Sequence, residues 1–116
     1  MTNEQLNRLC AEKVMGWGLS MTKKFWMIDT SELQSPFIKV EEWNPCENIS
    51  QAWMLIDKTI SKDKRIQFDV EYDEGAWLAS FWIHSQPDDE DMPLNVAEQA
   101  DTAPLAIVKA CLKAVE

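Results

Sequence analysis

The stretch Ile66–Tyr72, I-Q-F-D-V-E-Y, alternates apolar and polar residues without a break. Successive side chains of a strand point to opposite faces. The pattern therefore describes a strand with Ile66, Phe68, Val70 and Tyr72 on a buried face and Gln67, Asp69 and Glu71 in water. Asp73-Glu74-Gly75 comes next as a short turn, with Gly75 suited to a left-handed bulge position. The return stretch, Ala76 to about His84, is apolar on both faces, with Trp77, Phe81 and Ile83 on one and Leu78 and Trp82 on the other. Such a strand belongs inside a sheet with material packed on each side.

Three helical patterns can supply that cover. The first opens at Thr2 or Asn3, where Thr2 and Gln5 have capping-box spacing. Leu6, Leu9, Cys10, Val14 and Trp17 form its apolar face, and Gly16 or Gly18 can end it. At about 100° per residue, Lys13 is expected in the middle of that face, between Leu9 and Trp17. There it either snorkels to water, stacks on Trp17, or meets a ligand. The second helix has two start signals: Asn44-Pro45 with Glu47, and Asn48 with Gln51. The chain either makes one turn and restarts, or begins at the first. Ile49, Ala52, Trp53, Ile56 and Ile60 line its face, with Trp53 expected as a core anchor. The third helix is capped by Asp101 or Thr102, with Pro104 in its first turn. Its apolar arc (Leu105, Ile107, Val108, Cys111, Leu112, Ala114 and Val115) is wide. The helix is therefore expected either at the centre of a sheet or in a homo-oligomer contact.

Phe25–Asp29 and Phe37–Trp43 read as further strands, the second starting after Pro36, with T-S-E-L-Q-S between them as a loop. Ser85–Asp101 reads as a long acidic connection with Asp88-Asp89-Glu90-Asp91 at its tip. The predicted order is α-β-β-α-β-β-α in one domain spanning residues 1–116. The expected fold class is α+β, a three-layer α-β-α sandwich around a small, four-stranded, mainly antiparallel sheet.

Charge and chemistry narrow the function. Twenty acidic residues against eleven basic ones give a net charge of −9, which disfavours nucleic acid binding and suits basic partners, including proteins that normally hold nucleic acid. The three cysteines, Cys10, Cys46 and Cys111, contain no CxxC pair and read as free thiols. The polar N-terminus is not a signal peptide, and no apolar run is long enough to cross a bilayer, so a cytoplasmic protein is expected.

Cys46 would sit near a helix start, where a thiol pKa falls. Glu41, Glu42 and Glu47 oppose that effect, and the single histidine, His84, is the only candidate base of its kind. D-D-E-D lacks the spaced ligands and glycine of a calcium loop, and Asp69 and Glu71 are explained by solvent exposure. No catalytic, cofactor or metal residues are therefore assigned, and a non-enzyme is expected. Of the six tryptophans, Trp17, Trp53, Trp77 and Trp82 fall on core faces. Trp26 and Trp43 lie at strand ends near helix starts. With Lys13, they are the candidate residues for a ligand or partner.

Three stretches in order, A-E-K-V-M-G-W (Ala11–Trp17), W-N-P opening a helix with A-W (Trp43–Pro45, Ala52–Trp53) and T-A-P-L-A-I-V-K-A-C-L-K-A (Thr102–Ala114), cover most of the chain. Together they resemble the phage ABA sandwich domain. The resemblance implies an α-β-α layered domain of unknown function on mobile DNA, and it carries over no catalytic residues. The acidic connection at 85–101 departs from the pattern in length or charge. The leading expectation is a non-enzymatic phage accessory protein that binds another protein, with counter-defence or DNA mimicry as one form. The alternative is a small-molecule binder, such as a sponge for a nucleotide signal, with an oligomer pocket bounded by Trp43, Trp26 and Lys13.

Overall fold

The computed structural model describes residues 1–27, 37–83 and 95–115. In chain order its elements are α1 (Asn3–Leu9), a π-helical segment (Cys10–Val14), β1 (Gly18–Leu19), β2 (Phe25–Met27), β3 (Phe37–Lys39), a 3₁₀ turn (Val40–Glu42), α2 (Ile49–Ser61), β4 (Gln67–Asp73), β5 (Ala76–Trp82), β6 (Asn95–Ala100) and α3 (Ala103–Ala114).

The alternating stretch is strand β4, paired antiparallel with β5 from Gln67↔Trp82 to Asp73↔Ala76. That register leaves a two-residue loop, Glu74-Gly75, with φ of 51° and 85°. Both residues are left-handed, as a type I′ hairpin turn requires, so the expected bulge is not formed. Tyr72, expected in the core, is exposed and rests against Trp77 with ring centroids 5.3 Å apart.

The expected single four-stranded sheet is corrected to two three-stranded antiparallel sheets, β1-β2-β3 and β4-β5-β6. One cause is β6. Asn95–Ala100 lies in the stretch read as acidic connection, yet it pairs with β5 from Trp82↔Asn95 to Trp77↔Ala100. N-V-A-E-Q-A has little intrinsic strand preference, and the open edge of β5 supplies the hydrogen bonds. The tip Asp88–Asp91 and His84 lie outside the described residues. The other cause is that β2 pairs with the short β1 on one side and with β3 on the other, and neither β2 nor β3 joins β4.

Ala79 and Phe81 of β5 are fully buried beneath α3, which packs on β5, β6 and α2. On the opposite face, Leu78, Ser80 and Trp82 are half-buried between exposed residues of β4 and β6. Helix α3 starts at Thr102, whose hydroxyl accepts from the Leu105 N–H, and Ala106, Ile107, Val108, Ala110 and Cys111 are buried. Its wide arc is therefore used inside the chain, the first of the two expected positions.

Thr2 and Gln5 form the predicted capping box of α1. The helix then widens into a π-helical segment. Met15 N–H donates to Cys10 O, and Trp17 N–H donates to Ala11 O at 2.8 Å. The extra residue per turn rotates the side chains beyond it about the helix axis. Cys10, Ala11, Val14 and Met15 face the core, and Lys13 is exposed. The expectation that Lys13 lies within the apolar face fails because it assumes a regular α-helix.

Two further readings are corrected. After Lys39 the chain leaves the strand for a 3₁₀ turn, so Val40–Trp43 is not extended pairing. Helix α2 starts at Asn48, whose side chain accepts from the Gln51 N–H. The Asn44 signal makes only a turn, with Asn44 O accepting from the Glu47 and Asn48 N–H groups. This is the turn-and-restart alternative. The buried face of α2 is Ala52, Leu55, Ile56 and Thr59. Trp53 is 46% exposed and meets Phe68 edge-on, with centroids 5.9 Å apart. The face is rotated toward Leu55, and Trp53 is a rim residue.

Candidate functional site

The small sheet sorts its side chains by face. Trp26 pairs with Leu19 and Ile38 and is turned inward, 2% exposed, while Met27 and Phe37 on the other face are 45% and 47% exposed. The 3₁₀ turn after β3 then delivers Trp43 to the end of α1. Trp43, 2% exposed, packs edge-on against Trp17 with ring centroids 4.7 Å apart. Its indole N–H donates to the backbone carbonyl of Asn7 at 2.8 Å.

Asn7 fastens this junction. Its Nδ2 donates to Asn44 Oδ1 at 2.8 Å, and its Oδ1 accepts from Cys46 N–H at 3.1 Å. Asn44 N–H donates to Gln51 Oε1, Gln51 Nε2 donates to Glu42 O at 2.8 Å, and Asn44 Nδ2 donates to Glu47 Oε2 at 2.8 Å. Helix α1, the turn at 43–47 and the start of α2 thus form one hydrogen-bonded bracket. No local signal in the sequence marks the part Asn7 plays. It is one polar residue on a short helix, and its side-chain partners lie 37 and 39 positions away.

Between α1, the small sheet and this bracket lies a cavity of about 540 Å³. Leu19, Trp26, Val40 and Trp43 form its apolar wall; Asn3, Gln5, Asn7 and Asn44 add polar groups; Arg8, Lys23, Glu4, Glu41 and Glu47 add charge. Arg8 already pairs with Glu12 at 3.1 Å. Lys23 holds the left-handed conformation, φ 62°, and its N–H donates to Ser20 O at 2.9 Å. A lysine bears strain there that a glycine would not. Of the three candidate residues, the structure brings Trp26 and Trp43 together in the cavity wall, and Lys13 is elsewhere on the surface.

Cys46 lies in the turn before α2, buried, with its thiol donating to Asn3 O at 3.7 Å. Burial, then the nearby Glu47 carboxylate, push its pKa up to about 11. A thiol held in that state is a poor nucleophile. Cys111 is pushed up to about 12 by burial, and Cys10 is raised further, by burial and then by the neighbouring Cys111 and Cys46. Among the described residues no three His, Cys, Asp or Glu side chains cluster in a way that could hold a metal ion. No helix among them is long and apolar enough to cross a membrane.

Among the described residues these elements make a small α+β domain with three α-helices, two three-stranded antiparallel sheets and a cavity where α1 meets the smaller sheet. The family model for the phage ABA sandwich domain matches residues 8–112, and the chain belongs to that family. No curated protein and no solved structure shows significant similarity to it.

Proposed function

We propose that this phage domain acts by binding rather than by catalysis, and that the cavity between α1 and the small sheet receives a small molecule. The supporting observation is the cavity itself. Its volume, about 540 Å³, falls in the usual range for ligand sites, about 300–1,000 Å³. Its wall combines apolar and aromatic surface with a few fixed polar groups, the usual make-up of such sites. The Asn7 bracket holds the wall in place without a ligand, which lowers the ordering cost of binding. The test is thermal denaturation against a panel of small metabolites, since a ligand of the folded state raises the melting temperature. A shift that the cavity-filling variant Val40→Phe abolishes supports the proposal. A panel that moves neither protein counts against it.

Protein binding is the second reading. It is favoured by the exposed carboxylates of Asp69, Glu71, Asp73 and Glu74 along β4 and its turn, which suit a basic partner. A counter-defence or DNA-mimic role would be one form of it. Its test is affinity capture from host lysate. A stoichiometric basic partner that charge-neutral variants of these four residues no longer retain would support it, and recovery of the domain alone would oppose it.

A further inference from the structure

We infer that the cavity selects a cationic or neutral ligand over an anionic one, with an aromatic amine as the best-fitting class; this rests on the cavity being the binding site. Three carboxylates, Glu4, Glu41 and Glu47, border it against two cations, Arg8 and Lys23. Arg8 is not available in full, because Glu12 pairs with it at 3.1 Å. Asn44, whose Nδ2 donates to Glu47, is a neutral carboxamide and adds no positive charge there. The local balance is therefore negative, inside a chain whose net charge is −9. A phosphate-bearing ligand would enter against both the local and the global field.

Both fields thus oppose the nucleotide signal that the sequence alone leaves open. Among the described residues, no glycine-rich loop or pair of unengaged cations borders the cavity to offset a phosphate's charge. The polar groups of the bracket are already used by one another. An ammonium near Glu41 and Glu4, with an apolar ring against the partly exposed Leu19 and Val40, satisfies what the wall presents.

The experiment is calorimetric titration of the full chain with three probes that share one ring and differ in charge: tryptamine, tryptophol and indole-3-acetate. Tryptamine is expected to bind most tightly and indole-3-acetate most weakly, the two separated on the order of tenfold or more, as one charge interaction near a protein surface allows. Glu41→Gln should shrink that gap, and added salt should do the same. Equal affinity for all three, or preference for the anion, with binding still lost in Val40→Phe, would overturn the charge selection and leave the cavity as a site. Binding that Val40→Phe does not affect would overturn the cavity reading together with the inference that rests on it.

Discussion

Trp43 and Asn7, 36 residues apart, meet through a 2.8 Å hydrogen bond from the indole N–H to the Asn7 carbonyl. The same asparagine holds Asn44 and Cys46 through its side chain. Asn7→Ala should therefore destabilise the domain by about 1–3 kcal/mol, because it strands a partly buried N–H and an amide oxygen. Urea denaturation measures this. A loss within a few tenths of a kcal/mol, as for an ordinary exposed residue, would show that the bracket carries no weight.

Trp17 and Trp43 form one aromatic pair, but only one of them has a partner for its N–H. Trp17 Nε1 is buried without a hydrogen bond among the described residues. Replacing Trp17 by Phe removes a polar group that has no such bond, whereas Trp43→Phe breaks the bond to Asn7. Trp43→Phe should cost about 1 kcal/mol more than Trp17→Phe in matched urea titrations. The reverse order would mean that Trp17 has a partner in solution.

Trp53→Ala should cost about 1–2 kcal/mol, less than a fully buried tryptophan, because 46% of the residue is exposed and its ring meets Phe68 edge-on. Leu55→Ala, at a fully buried position, should cost about 2–5 kcal/mol. Thermal or urea midpoints for the two variants give the order. A larger loss at Trp53 would place its ring in the core.

The buried thiols give the stability a pH dependence. Their folded pKa values are raised, to about 11 at Cys46 and about 12 at Cys111, from an ordinary value of 9.0. The folded state thus holds protons that the unfolded state gives up. The contribution is complete below pH 9.0 and is lost as pH rises through the folded values. Stability measured by urea titration should fall from pH 9 toward pH 11, and a Cys46→Ser, Cys111→Ser variant should flatten the fall. In the native protein all three thiols should resist a thiol reagent at neutral pH and react on unfolding.

Legibility in the sequence tracks locality. The β4–β5 hairpin, the capping box of α1 and the caps of α2 and α3 can be read because each depends on residues within a few positions of one another. The π-helical segment cannot, because its extra residue per turn is not encoded by apolar spacing, and so Lys13 falls outside the face that a regular helix predicts. Strand β6 is hidden because its pairing comes from β5 rather than from its own residues. The sequence singles out Trp26 and Trp43 at the ends of expected strands; both line the cavity, although Trp26 lies within β2 and Trp43 follows a 3₁₀ turn. The third element, Asn7, is invisible because its role exists only after residues 7 and 43–46 come together.

Binding of a small molecule between α1 and the small sheet is the central claim. Its most direct test is an NMR titration that tracks the six indole N–H signals, one for each tryptophan, as tryptamine or tryptophol is added. Trp26 and Trp43 line the cavity, so their signals should move together and saturate, while that of the exposed Trp53 stays fixed. Saturable shifts at Trp53 with Trp26 and Trp43 unmoved would place binding elsewhere and contradict the claim.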